Sequence, residues 1–311
     1  MSTSRRSFLL STSLLAFTAF SGTALAAEKP KILFFSKSSG FEHSVISYKT
    51  GQPSLVEKAL TSLGEKNGWE FTFSKDGSLF SPDYLKQFKA VFFYTTGDLT
   101  APGTDKNPGM SPAGKQSLLD YVSGGGGFIG SHSAADTFHT ANEDKKGPDR
   151  YTNHGKEADP YVLMLGGEFI KHGKQQSAKM RCVDSKFPGM EKAADGFEMM
   201  EEWYSLKDFT EDVHVLLVQE TGTMEGTDYQ RPPYPATWAR AHGKGRVFYT
   251  SMGHRDDVWA NPLFTEILTG GIRFAIGEAK ADVKPNIKHV TPDAWKNPPY
   301  TEAKPAAPKA K

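Results

Sequence analysis

Short apolar runs alternate with segments whose apolar residues recur at helical spacing, and this alternation organises the chain from Lys31 to Ile276. "KILFFS" (31–36) is an apolar run bounded by polar residues, the pattern of a strand buried on both faces. Leu55, Ala59, Leu60 and Leu63 then share one helical face, and Gly68 ends the element. "WEFTFS" and "AVFFYTT" (90–96) predict a second and a third strand. Ser111-Pro112 opens a helix with proline in its first turn, carrying Leu118, Leu119, Tyr121 and Val122 inward. The run Gly124 to Gly127 stops that helix ahead of "GFIG", the fourth strand. A phosphate loop follows its strand and carries Lys-Ser/Thr or a spaced glycine pattern; this run does neither. Strands alternating with helices predict an α/β fold, a mainly parallel sheet with helices on both faces.

Between Tyr151 and Tyr229 the alternation fades. "KMRCV" and "HVLLVQE" read as strands of an antiparallel extension, and "PATWARAHGKGRVFYTSMGH" as a hairpin turning at Gly243 to Gly245. A last helix runs from about Asn261 to Ile276. In open parallel sheets, ligands bind beyond the carboxyl ends of the strands. That rule gathers Ser36–His43, Thr95–Asp98, Ser131–Asp136 and Ser251–Asp257 on one rim, and three of those loops contain a histidine.

The ends add a destination. Arg5 and Arg6, an apolar stretch diluted by Ser and Thr, and Ala24-Leu25-Ala26 read as a twin-arginine export signal over residues 1–26. The expectation is a periplasmic or secreted protein beginning near Ala27, with no stable membrane insertion. A domain over residues 27–278 follows, then a Lys-, Pro- and Ala-rich tail over 279–311 that is expected to be extended or disordered. Without Arg5 and Arg6, 35 basic residues face 36 acids, a net charge of −1. Such a chain has no field to draw nucleic acid or anionic lipid. Cys182 is the single cysteine, so no intramolecular disulfide is possible.

The candidate chemistry centres on "GSHSAAD", which follows a strand and resembles the hydrolase elbow G-x-S-x-G with His132 at the apex and Ala134 for the last glycine. In a helix starting there, Asp136 and His139 lie one and two turns along the same face. His132 is a candidate base, electrophile or metal ligand; the alternative is a buried hydrogen-bonding histidine with Ser133 capping the helix. His43 in "SSGFEHS" and His254 in "SMGHRDD" join it on the rim. Glu201 and Glu202 are adjacent, so one at most enters a given site. Cys182 lies on a predicted strand away from any elbow, which excludes thiol chemistry of the amidotransferase kind. Imidazole and carboxylate remain, for acid–base or metal-assisted catalysis.

"FEHS", "YTTGD", "GGGGFIGSHSAADTF", "LGGEFIKHG", "EEWYSL" and the stretch from "PATWARAHGKGRVFYTSMGHRDDVWANPLF" to "FAIG" together resemble the ThuA (trehalose utilisation) family. The resemblance implies a flavodoxin-like fold of the class I glutamine amidotransferase type, with His132 where the elbow cysteine stands. It implies use of trehalose or other disaccharides, in company with dehydrogenases that make 3-keto sugars. Carried over by position, the polar pocket is His43, Asp98, His132, Asp136, His172, Glu202 and His254. His172-Gly173 and Tyr234-Pro235 stand where many members have His-Pro, so specificity is expected to differ there.

The resulting expectation is a carbohydrate-processing enzyme, hydrolase- or lyase-like, acting on a disaccharide or its 3-keto form. His132, Glu202, His254 and Asp136 are the expected catalytic residues. His43, Asp98, His172, Trp203 and Tyr204 are expected to bind substrate. A divalent metal such as zinc is expected on His43, His132 and His254, with Glu202 nearby, provided the nitrogens lie closer than roughly 8 Å. The alternative is a noncatalytic sugar-binding protein in which Trp203, Tyr204, Trp238 and Trp259 offer stacking faces.

Overall fold

The computed structural model describes residues 28–48, 51–140 and 147–301. The expected export signal and the last ten residues of the tail lie outside the described residues. Strand β1 (Lys31–Phe35) leads to helix α1 (Leu55–Asn67), and β2 (Glu70–Ser74) returns parallel beside β1. Helix α1 begins on a capping box: Ser54 Oγ accepts from the Glu57 N–H, and Glu57 Oε2 accepts from the Ser54 N–H. Two N–H groups that a first turn leaves free are satisfied in this way. The helix stops at Gly68, whose φ of 77° is left-handed and suits glycine. Then come α2 (Pro82–Leu85), β3 (Ala90–Phe93), α3 (Pro112–Ser123) and β4 (Gly127–Ser131).

The second half supplies α4 (Pro160–Leu165), β5 (Glu168–His172), β6 (Gln176–Cys182), β7 (Phe197–Glu201), β8 (Tyr204–Lys207) and β9 (His214–Glu220). The expected hairpin is β10 (Tyr234–His242) with β11 (Gly245–Thr250). Helices α5 (Asp256–Trp259), α6 (Pro262–Ile276) and α7 (Ile287–Val290) close the described chain.

Nine strands form one sheet in the order β2-β1-β3-β4-β11-β10-β9-β6-β7. The block from β2 to β11 is parallel; β10, β9, β6 and β7 make the antiparallel extension. Strands β5 and β8 pair separately. Successive residues of the parallel strands enter opposite cores. Ile32, Phe34, Phe92, Ile129 and Phe248 face the side of α1 and α6, while Leu33, Phe35, Val91, Phe93 and Val247 face α3 and α4. Both faces are covered, which is why these strands read as unbroken apolar runs.

The tail composition predicts no packing, and up to Thr301 the structure corrects this. Ile287 and Ala294 are buried, and Trp295 Nε1 donates to Phe209 O at 2.8 Å. Asn286 brackets Val215, accepting from its N–H at 2.7 Å and donating to its carbonyl at 3.1 Å. A few spaced anchors hold this segment against the extension, where average composition shows only lysine and proline.

Candidate active site

His43, His132 and His254 arrive from the loops after β1, β4 and β11, and Glu202 from the link between β7 and β8. One nitrogen or oxygen from each lies within 4.8 Å of those of the other three. Residues far apart in sequence meet because the carboxyl ends of neighbouring strands share one edge.

His132 does not open an α-helix as expected. It starts a short 3-10 turn (His132–Asp136), with φ of 46° at His132 itself. That left-handed conformation is uncommon outside glycine, and an elbow apex is where such strain is found. The side chain is fully buried. Its Nδ1 lies 3.0 Å from Ser251 O. A carbonyl only accepts, so Nδ1 carries a proton, and in the neutral ring Nε2 presents a lone pair. Ser133 Oγ is buried without a hydrogen-bond partner, so it caps nothing. The Tyr204 ring packs against the imidazole at 4.1 Å, and the Tyr249 hydroxyl donates to His132 O at 2.8 Å.

His254 follows a turn that only glycine can make. Gly253 has φ of 118°, and a Cβ there would stand 2.7 Å from Ser131 Oγ. The turn aims the Gly253 and His254 N–H groups at Glu201 Oε2, at 2.8 and 3.1 Å. Gly253 O accepts from Tyr94 Oη at 3.0 Å and Trp259 Nε1 at 2.7 Å. Glu201 also accepts from the Glu202 N–H at 2.8 Å and is fully buried. The two adjacent acids point apart, Glu202 lying just past the end of β7. Glu202 enters the cluster; Glu201 holds the frame around it. Sequence reasoning missed that second role, although two acids in succession signal it.

Glu202 Oε2 lies 3.0 Å from His254 Nδ1 and 3.5 Å from His132 Nε2, and its Oε1 is 3.4 Å from His172 Nδ1. Burial raises the Glu202 pKa, but the polar contacts with the His132 and His254 imidazoles outweigh it and hold the carboxyl far below its usual range. His43 is buried, its ring centroid 4.9 Å from His132 and 5.3 Å from His254. Burial, helped by those two imidazoles, pushes its pKa well down, so the ring is neutral. Its Nδ1 is buried without a hydrogen-bond partner. His172, at the end of β5, is 42 % exposed and links Glu202 to solvent.

Other expected residues lie elsewhere. Asp136 does not join the cluster: it accepts from His139 Nε2 at 2.7 Å and from Arg150 Nη2 at 3.3 Å. His139 Nδ1 reaches Glu168 Oε1 at 2.6 Å. Burial lowers the His139 pKa, and its bonds to both carboxylates more than reverse this. Asp98 is exposed and accepts from Thr100 N and Oγ1 at 2.9 and 2.7 Å, so it shapes its own turn. Trp203, Tyr204, Trp238 and Trp259 offer no stacking face, because all four are buried core residues. Phe41 does: its ring is 66 % exposed, meets His43 edge-on at 5.0 Å, and its carbonyl is pinned by Thr96 Oγ1 at 2.7 Å. Beside His254 opens a polar cleft of about 340 Å³ lined by Ser44, Gln175, Arg255, Asp256 and Asp257.

The sheet order and the histidine at the strand-end turn define an α/β protein of flavodoxin-like architecture in which the elbow carries an imidazole. The family model for ThuA, described as trehalose utilisation, matches residues 31–275, and the chain belongs to that family. Two solved structures share the fold. A ThuA-like protein from Bacteroides uniformis is 20 % identical with a TM-score of 0.58, over 83 % of this chain and 96 % of its own. One from Parabacteroides merdae is 16 % identical with a TM-score of 0.52, over 88 % and 98 %. No curated protein matches the chain.

Proposed function

We propose that the protein is an exported enzyme of disaccharide catabolism that cleaves the 3-keto form of its substrate by elimination. The observation that carries this is the convergence of three histidines and one carboxylate at the open edge of the parallel strands. A ketone at C3 acidifies the C2 proton. His43, held neutral, takes that proton, and the electron pair moves into an enolate on the C3 oxygen. His132 and His254, where protonated, donate hydrogen bonds to that oxygen, and Glu202 orients their rings. The C1–O bond then breaks, its electron pair leaves with the glycosidic oxygen, and His172 returns a proton to it. The products are an unsaturated 3-keto sugar and a free sugar.

The polar cleft and the Phe41 face suit a hydroxylated ring with one apolar side. The binding-only alternative loses support, because its four proposed stacking rings are core residues. In D2O, the enzyme exchanges the C2 proton of a 3-keto disaccharide, followed by proton NMR. Cleavage without any exchange or elimination product would replace elimination by hydrolysis. Arg5 and Arg6 support export, and an Arg5→Lys, Arg6→Lys variant found in the periplasm would remove that part.

A further inference from the structure

We infer that Nε2 of His132, Nδ1 of His254 and Oε2 of Glu202 form a three-ligand site for one divalent transition-metal ion, with His43 on its open face. The inference stands on geometry and is independent of which sugar is turned over.

The three atoms are 3.0, 3.3 and 3.5 Å apart. Ligands about 2.0–2.2 Å from a tetrahedral ion are separated by edges of roughly 3.3 Å, so this triangle already has the size of one face of a coordination tetrahedron. Hydrogen bonding alone accounts for it poorly. The Ser251 carbonyl keeps a proton of His132 on Nδ1, so in the neutral ring Nε2 faces the carboxylate as a second acceptor. Only the His254 Nδ1 proton is left to serve both. A cation satisfies all three at once and balances the carboxylate, with the His254 proton carried on Nε2 instead. Among the described residues, the ion-pair partners of Glu202 are all imidazoles.

The frame around the ligands is built to hold them. His132 is oriented by Ser251 O, the His254 backbone by Glu201, and Glu202 by His172. Metal ligands depend on such outer contacts for orientation. His43, with its Nδ1 unpartnered in a buried position, borders the fourth vertex, where water or a substrate oxygen completes the sphere.

A second group serves as an internal contrast. His154, Glu168 and Asp208 also lie within ligand reach of one another. There the Lys207 ammonium stands 3.4 Å from His154 Nδ1, 3.8 Å from Asp208 Oδ2 and 3.9 Å from Glu168 Oε2. The protein supplies its own cation, and that group needs no metal. Two imidazoles and a carboxylate suit Zn2+, Fe2+ or Mn2+ better than the oxygen-seeking Mg2+ or Ca2+.

The test is metal analysis of the purified full chain, with calorimetric titration of the stripped protein by Zn2+ and Mn2+. The expected result is about one ion per chain, with the Zn2+ affinity falling at least about 100-fold in Glu202→Gln and His254→Gln. His154→Gln is expected to leave it unchanged. Circular dichroism shows whether each variant is folded, and the wild-type protein gives a second reading through a metal-dependent rise in Tm. No metal on isolation and no Zn2+ or Mn2+ binding by the wild-type chain overturns the site. So does binding that survives in folded Glu202→Gln and His254→Gln. A protein that binds metal but turns over no sugar refutes the proposed function alone; turnover by a wild-type chain that binds no metal refutes this site alone.

Discussion

His132→Asn separates the two things His132 does, which are to fill a buried position and to present Nε2 to the cluster. The backbone tolerates the change, because asparagine is among the few residues that accept a φ of 46°. An amide also offers a donor toward Ser251 O, although the shorter side chain stretches or loses the 3.0 Å bond. That loss costs about 0.5–1.5 kcal/mol, and the vacated ring volume beside Tyr204 adds to it. We expect a destabilisation of about 1–3 kcal/mol, a fall in Tm of roughly 2–12 °C for a domain of this size. Full burial makes this larger than for a side chain on an open rim. Activity should fall much further, by about 10²–10³, because the charge receptor loses one member. The assay pairs a melting curve with turnover of a 3-keto disaccharide at a temperature where both proteins are folded. Near wild-type turnover in the asparagine variant would refute the reasoning. A loss of activity no greater than the loss of folded protein would reduce His132 to a packing residue.

Glu201→Gln keeps the shape of the frame but removes its charge; we expect a cost of about 1.5–3 kcal/mol from the weakened bonds to the Gly253 and His254 N–H groups, read by urea unfolding. Phe41→Ala should leave Tm unchanged, because the ring is exposed, and raise KM more than it lowers kcat; an unchanged KM removes Phe41 from the sugar subsite. His139 has a folded pKa above its unfolded value of about 6.5, so its contribution is full below that value and is lost as pH rises through the folded pKa. His139→Gln should therefore flatten the decline in stability above about pH 6.5, and a variant with the wild-type pH profile would contradict the assignment.

Local signals were legible wherever the physics is local. The Gly68 stop, the Ser111-Pro112 start and the Gly243–Gly245 turn each act within a few residues, and the structure places their elements accordingly. The meeting of His43, His132 and His254 was legible for a different reason: parallel topology alone sends the three loops to one edge. Exposure was not legible. Trp203 and Tyr204 beside two acids resemble a sugar platform, yet Trp203 Nε1 donates to Gln176 O at 3.1 Å inside the core, while Phe41 in a plain loop is the open ring. Asp136 was misplaced because a 3-10 turn replaced the helix and because its partner Arg150, 14 residues on, leaves no periodic trace. The packed segment after Ala279 was hidden by composition, since Asn286, Ile287 and Trp295 are single anchors among lysines and prolines.

The central claim is that the His43, His132, Glu202 and His254 cluster is a catalytic centre for a 3-keto disaccharide. It is tested most directly by incubating the purified protein and its Glu202→Gln variant with matched native and 3-keto disaccharides and following products by chromatography. The account predicts cleavage of the 3-keto form by the wild-type protein, little with the native sugar, and loss of cleavage in the variant. Binding of either sugar without turnover of any, or turnover undiminished by Glu202→Gln, would contradict it.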